Sequence, residues 1–282
     1  MSTADPPVAV TGATGLVGGA VAGLLSAAGV RQRLLVRDPV RAPRLPGSTV
    51  APCSYGDQAA SLRALNGIET LLMVSGSESA DRLEQHRSFV DAARSAGVSH
   101  IVYTSFVGAA PDATFTLARD HYATEQHILA SGMDHTFLRD NLYLDFFEAM
   151  VGEDGIIRGP AGNGRAAAVA RADVARTASA VLQDVSAHRN ATYELTGPEA
   201  LSLAEVAAIL SEERGTEIGY HDETIPEAYQ SRRRWGAPDW QNDAWVSTYT
   251  AIAAGELAAV SDDIATVTGQ PPSSLRDVLR RR

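Results

Sequence analysis

Over the first half of the chain, short apolar runs alternate with longer segments whose apolar positions recur three and four residues apart. The runs at 8–11, 33–37, 70–75, 100–105 and 135–139 read as strands. The continuous run at 70–75 suits a parallel sheet covered on both sides. Between the first two runs, Val17, Ala20, Val21, Leu24, Leu25 and Ala28 share one face of a helix that Gly29 stops. Segments 80–96 and 117–131 read as helices closed by Gly97 and Gly132. This order predicts an α/β fold with a doubly wound parallel sheet and right-handed crossovers. Beyond residue 150 the alternation weakens. Residues 152–164 read as a glycine-rich loop, 173–182 as a helix and 193–195 as a short strand. Ser202 and Glu205 form a capping box before a helix carrying Val206, Ile209 and Leu210. Residues 222–245, with Trp235, Trp240 and Trp245, read as an irregular or helical cover. The tryptophans suit a lid, a small core or a contact between copies equally well.

The turn between the first strand and first helix carries the chemistry. Thr11-Gly12-Ala13-Thr14-Gly15-Leu16-Val17-Gly18 spaces three glycines three apart. Gly12 permits the tight turn, Gly15 lets backbone approach a pyrophosphate, and Gly18 lets the helix pack against the sheet. The free N–H groups at the helix start then face the phosphates. This pattern predicts a Rossmann-like dinucleotide-binding domain over 1–150, with 165–197 returning to it, and a smaller α+β substrate or lid region over 151–282. Arg37 stands 22 residues after Gly15, at the end of the second strand. A guanidinium there suits the 2′-phosphate of NADP, whereas the adjacent Asp38 could take the acidic, NAD-selecting role. The reading favours NADPH (NADP+), with no metal.

Composition narrows the class. The chain has 282 residues, a formal charge of −10 and one cysteine, Cys53. The acidic balance argues against nucleic acid as a partner. A single cysteine excludes an intrachain disulfide and suits a reducing, cytoplasmic setting. No apolar run is long enough to span a membrane, and residues 1–7 lack the charged and apolar regions of a secretory leader. The expected partner is a small-molecule substrate, with a homodimer as a further possibility. The basic runs 232–234 and 280–282 read as solvated charge, with anion binding the sharper reading of the first.

These residues and others along the chain resemble the atypical short-chain dehydrogenase/reductases, and more narrowly the NmrA-like proteins and the NADPH:quinone reductase branch beside them. The marks are the glycine turn at 11–18, Val36-Arg37-Asp38-Pro39, Gly56-Asp57, Leu72-Met73-Val74-Ser75-Gly76, and His86 ahead of Val90-Asp91-Ala92-Ala93. They continue with Val102-Tyr103-Thr104-Ser105-Phe106, His121 with Glu125, Thr136-Phe137-Leu138-Arg139 leading to Tyr143, and Tyr193-Glu194-Leu195-Thr196-Gly197-Pro198. The resemblance implies that Asp57 lies by the adenine, that Ser75 and Gly76 line the nicotinamide ribose, and that Thr104, Ser105 and Phe106 sit under the nicotinamide.

The Tyr-x-x-x-Lys pair of ordinary short-chain dehydrogenases is missing: Val107 stands four after Tyr103, and Gln126 four after Tyr122. Where isoflavone-reductase-like and NmrA-like relatives carry a lysine, eleven residues before Gly132, this chain has His121. His121 is either a proton donor or a positioned helix histidine; set with Glu125 and His127, it reads as part of a helix-surface pair rather than a metal site. Asn141 and Tyr143 follow a strand end and either face the substrate, with Tyr143 a second catalytic candidate, or pack between parts of the fold. The implied activity is hydride transfer from NADPH to a quinone or similar electron-poor molecule. The alternatives are a non-catalytic NADP-sensing regulator and a dedicated reductase or isomerase of a biosynthetic intermediate.

Overall fold

The computed structural model describes residues 7–281. Residues 1–6, which carry most of the leader reading, and Arg282 lie outside the described part. Six strands occupy the first half: β1 (Val8–Thr11), β2 (Gln32–Val36), β3 (Ser48–Pro52), β4 (Thr70–Met73), β5 (His100–Phe106) and β6 (Asp134–Asp140). Later come β7 (Ile156–Gly159), β8 (Arg165–Ala166), β9 (Ala191–Leu195), β10 (Leu201–Ser202) and β11 (Gly219–Asp222). Seven strands form one sheet in the order β3-β2-β1-β4-β5-β6-β9. Within it β1 runs parallel to β2 and β4, β2 to β3, and β4 to β5. The fold is therefore the doubly wound α/β type. Leu71, Leu72, Met73, Ile101, Val102 and Tyr103 of the central strands are buried, the double-sided cover that their unbroken apolar runs require.

The chain divides into two compact units and passes between them five times. The first contains residues up to Ser105, Tyr122–Arg139 and Val174–Tyr193; the second contains Phe106–His121, Asp140–Asp173 and Glu194 onward. Residues 106–121 and 140–150 cluster with the second unit, and residues 174–193 with the first. Strand–helix alternation gives the order of elements but not the cluster each joins.

Helix α1 (Leu16–Ala27) buries Val17, Gly18, Val21, Ala22 and Leu25, while Ala20, Leu24 and Ala28 are exposed. The expected stripe is thus rotated toward the small residues. Close packing explains the rotation: a Cβ on Gly18 would stand 2.4 Å from the Gly12 carbonyl oxygen and 2.6 Å from that of Thr11. Helices α2 (Gln58–Leu65), α3 (Arg82–Ser95) and α4 (Thr116–Ser131) follow, then α5 (Arg171–Gln183).

In the second unit, α6 (Leu203–Arg214) starts with the expected capping box, in which Ser202 accepts from the Glu205 N–H and the Glu205 carboxylate accepts from the Ser202 N–H. The glycine-rich stretch is not all loop, since it contains β7, which pairs parallel with β11. The segment 222–245 is largely helical, in α7 (Ile225–Arg232) and the start of α8 (Asp239–Ala253). Trp235 is 55% exposed and meets Trp245 edge-on at 5.6 Å, with Arg234 over its ring. The basic runs are not simply solvated. Arg232 is buried, pairs with buried Glu223 at 2.8 Å and lies over the Tyr249 ring. Arg280 pairs with Glu213, and Arg281 donates to the Ser273 hydroxyl.

Two glycines of α1 give opposite outcomes. Gly18→Ala should destabilise by about 1–3 kcal/mol through overpacking against backbone. At Gly23, nothing lies within 4 Å of an added Cβ. Gly23→Ala should therefore stabilise by about 0.5–1 kcal/mol. Urea denaturation of both variants checks the pair; equal effects would contradict the packing described.

Candidate functional site

The order of the sheet reverses beside β1: β2 and β3 lie to one side, β4 and its successors to the other. Ligands of open α/β sheets bind beyond the carboxyl ends of strands at such a switch point. The turn after β1 is built to receive one. Gly12 has φ +63°, a conformation open to glycine, and its carbonyl accepts the Gly15 N–H at 2.8 Å. Gly15 is the N-cap of α1 and brings no capping side chain, and the first turn carries no acidic residue. The helix thus starts with its positive end open to an anion. Thr14 and Gly15 are exposed and Leu16 is 70% exposed, whereas Ala13 and Val17 are buried and anchor the turn. Thr11 serves the scaffold through its side chain: its hydroxyl lies 3.1 Å from the Leu72 carbonyl oxygen and accepts from the Val74 N–H at 2.8 Å. The uncapped helix start and the close approach at Gly18 fit a dinucleotide pyrophosphate.

The end of β2 separates the two acidic and basic candidates. Asp38 accepts from the Val40 N–H at 3.0 Å and caps the short 3-10 turn Pro39–Arg41. Arg37 is exposed and pairs with no described residue. A free guanidinium beside a carboxylate committed to a cap suits a phosphate better than a ribose hydroxyl. Asp57 is exposed but accepts from the Ala60 N–H at 2.9 Å as the N-cap of α2.

The loops after β4 and β5 are tied together. The Thr104 hydroxyl accepts the Ser75 N–H at 2.8 Å, and Gly76 is bonded by two side chains of α3, His86 and Arg82. Ser105 is buried and donates to Glu125 at 2.6 Å; Arg139 grips the same carboxylate through Nε at 2.9 Å and a terminal nitrogen at 2.7 Å. Glu125 is therefore buried in a three-membered network rather than on a helix surface, and His127 pairs separately with Asp91. Nothing in the sequence marks Tyr55 or Arg82 as site residues; His86 is only one of the marks of resemblance, and its local sequence gives no sign of its partner.

In the second unit, His121 is buried and lies with its ring 6.1 Å from that of Phe106, which also meets Phe115 edge-on. Asn141 is buried and spends its amide on the backbone, donating to the Leu257 carbonyl and accepting from the Leu142 N–H. Tyr143 donates its phenol proton to Asp140 at 2.5 Å, with Arg171 over its ring. Burial first, then the Asp140 charge, hold the Tyr143 pKa well above its ordinary value. A proton so committed is poorly placed for transfer to a substrate.

The NmrA-like family model matches residues 5–232. The chain belongs to the NmrA-like family. It is 33% identical to quinone oxidoreductase 2 of Escherichia coli K12 over 96% of each chain. It is 31% identical to the NAD(P)H azoreductase of Xenophilus azovorans, over 94% of this chain and 93% of that one. The crystal structure of an NADPH-dependent quinone oxidoreductase from Escherichia coli complexed with NADPH superposes with a TM-score of 0.89, at 32% identity, covering 97% of this chain and 99% of that chain. Among the described residues no helix is long and apolar enough to cross a membrane, and no three His, Cys, Asp or Glu side chains group as metal ligands.

Two buried histidines of the first unit stay neutral. Burial and then the Arg82 charge pull the His86 pKa down to about 3, and burial pulls that of His100 down to about 4. Between those values and about 6.5, the unfolded chain binds protons that the folded one does not, so stability rises with pH across this window. Each histidine contributes up to about 1.4 kcal/mol per pH unit there. NMR titration should show both rings neutral down to about pH 5; a midpoint near 6.5 for either would contradict its burial.

Proposed function

We propose that the protein is an NADPH-dependent oxidoreductase that reduces quinones or similarly electron-poor conjugated small molecules. The observation that carries this reading is the combination of an open, uncapped helix start at Gly15 with an exposed Arg37 that pairs with no described residue and whose neighbour Asp38 is committed to a cap. The likeness to a quinone oxidoreductase and an azoreductase across nearly the whole chain supports the acceptor class. Gly12, Thr14, Gly15 and Leu16 would hold the pyrophosphate through the backbone of the turn and helix start, with Val17 and Gly18 packing that start against the sheet, and Arg37 would hold the 2′-phosphate. Ser75, Gly76 and Thr104 would serve the remainder of the cofactor, with Thr11 acting through the backbone it braces, Ser105 through its bond to Glu125, and Asp57 shaping the turn before α2.

NADPH supplies a hydride when bound. Reduction of a quinone to a hydroquinone also consumes one proton from outside the cofactor, and an electron-poor acceptor asks little more of the protein than orientation and exclusion of water. Of the two catalytic candidates, the local geometry supports His121 over Tyr143. We read His121 as the proton donor, Phe106 as an apolar wall of the substrate region, and Asn141 and Tyr143 as residues that shape it. A cytoplasmic location suits the free, buried Cys53.

Arg37→Ala should weaken NADPH binding by about 1.5–3 kcal/mol, the size of a lost charge-assisted hydrogen bond, and leave NADH nearly unchanged. Fluorescence titration with both nucleotides checks this; equal weakening would show that Arg37 does not read the 2′-phosphate. His121→Phe should lower kcat by about tenfold with NADPH affinity kept, below the usual effect of a general acid because water also protonates the reduced quinone. An unchanged kcat and pH profile would remove His121 from catalysis.

A further inference from the structure

The segment Val74–Gly76 leaves β4 at the switch point and touches the glycine turn: a Cβ on Gly12 would stand 3.2 Å from the Val74 Cβ. Its backbone is held almost entirely by side chains. The Val74 N–H donates to the Thr11 hydroxyl at 2.8 Å, and the Val74 carbonyl accepts from the Tyr55 hydroxyl at 2.6 Å. The Ser75 N–H donates to the Thr104 hydroxyl at 2.8 Å. The Gly76 N–H donates to Nε2 of His86 at 2.8 Å, and the Gly76 carbonyl accepts from Nε of Arg82 at 2.9 Å. Five of the six polar groups are thus fixed by residues drawn from β1, the loop after β3, β5 and α3. A surface loop normally leaves such groups to water.

His86 is the critical member. A backbone N–H can only donate, so Nε2 accepts and the neutral ring carries its proton on Nδ1. That proton points to the Thr124 hydroxyl, 3.0 Å away on α4. The ring is buried, with Tyr55 and Tyr103 edge-on at 5.9 and 6.0 Å. A Cβ at Gly76 would come within 3.1 Å of Nε2, so the imidazole also requires glycine there.

The order β2-β1-β4 assigns this loop a share of the ligand. A dinucleotide whose 2′-phosphate lies at the end of β2 and whose pyrophosphate lies after β1 continues past β1 toward the end of β4. We propose that His86, with Arg82, is a positioning residue that sets the Ser75–Gly76 backbone against the nicotinamide half of the cofactor and so governs hydride transfer. This rests on the NADPH reading above.

The test compares His86→Leu, which removes the acceptor, with His86→Gln, whose amide oxygen restores one. NADPH affinity, 2′,5′-ADP affinity and the single-turnover rate of NADPH oxidation by a quinone are measured on each, with circular dichroism for folding. His86→Leu should lower NADPH affinity about fivefold or more and the hydride-transfer rate about tenfold, the cost of one buried N–H left without a partner. Its 2′,5′-ADP affinity should stay within about twofold of the parent, since the adenosine half does not reach β4, and His86→Gln should recover most of both losses. If His86→Leu does not fold, Arg82→Met carries the same comparison. Equal loss of NADPH and 2′,5′-ADP affinity, or a fall in stability with unchanged rates, would overturn the positioning role. A parent protein that binds neither nucleotide would overturn the cofactor reading instead.

Discussion

The contact on which the rest depends is the approach of α1 to the end of β1. At Gly18 no side chain fits, because the carbonyls of Thr11 and Gly12 occupy its place. That closeness aims the helix start at the switch point of the sheet and leaves Gly15 as an N-cap without a capping side chain. A helix start that the protein does not satisfy itself carries free N–H groups and a partial positive charge. The same glycines that permit the packing leave the helix start open to an anion, so the packing and the proposed binding share one turn of chain.

Around this turn, buried side chains supply the rigidity. Thr11, Tyr55, Thr104, His86 and Arg82 clamp the loop after β4, while Ser105, Glu125 and Arg139 tie the ends of β5 and β6 to α4. Thr124 and Glu125, adjacent on α4, serve one network each. A flat conjugated acceptor needs no elaborate proton relay, and a site of preorganised backbone with few reactive side chains suits that demand. The missing Tyr-x-x-x-Lys pair is consistent with such economy.

The fold was legible where burial is uniform. β1 and β4 are nearly unbroken apolar runs, Ile101-Val102-Tyr103 and Phe137-Leu138 mark the centres of β5 and β6, and the glycine turn names its own geometry. β3 was missed because it is an edge strand, largely exposed, closed by Pro52 and without an apolar run. β7 was hidden in a glycine-rich segment for want of length. The face of α1 was misassigned because Gly18 and Ala22 are buried for their smallness, which hydrophobic periodicity does not count. The conformation of the glycine turn and the place of Arg37 at the end of β2 could be read directly, since spacing along the chain defines them. The roles of Asp38, Glu125, Tyr143 and His86 could not, because each depends on a partner fixed only by the folded chain. His86 and Thr124 are 38 residues apart in sequence.

The central claim is that this turn holds NADPH for delivery of a hydride to an electron-poor acceptor. The most direct measurement is titration of the purified protein with NADPH and NADH, followed in the same cuvette by a panel of quinones. Tighter binding of NADPH than NADH is expected, with loss of absorbance at 340 nm when a quinone is added. Tight binding without oxidation by any quinone would contradict the reductase and favour an NADP-sensing role, and binding of neither nucleotide would contradict the site itself.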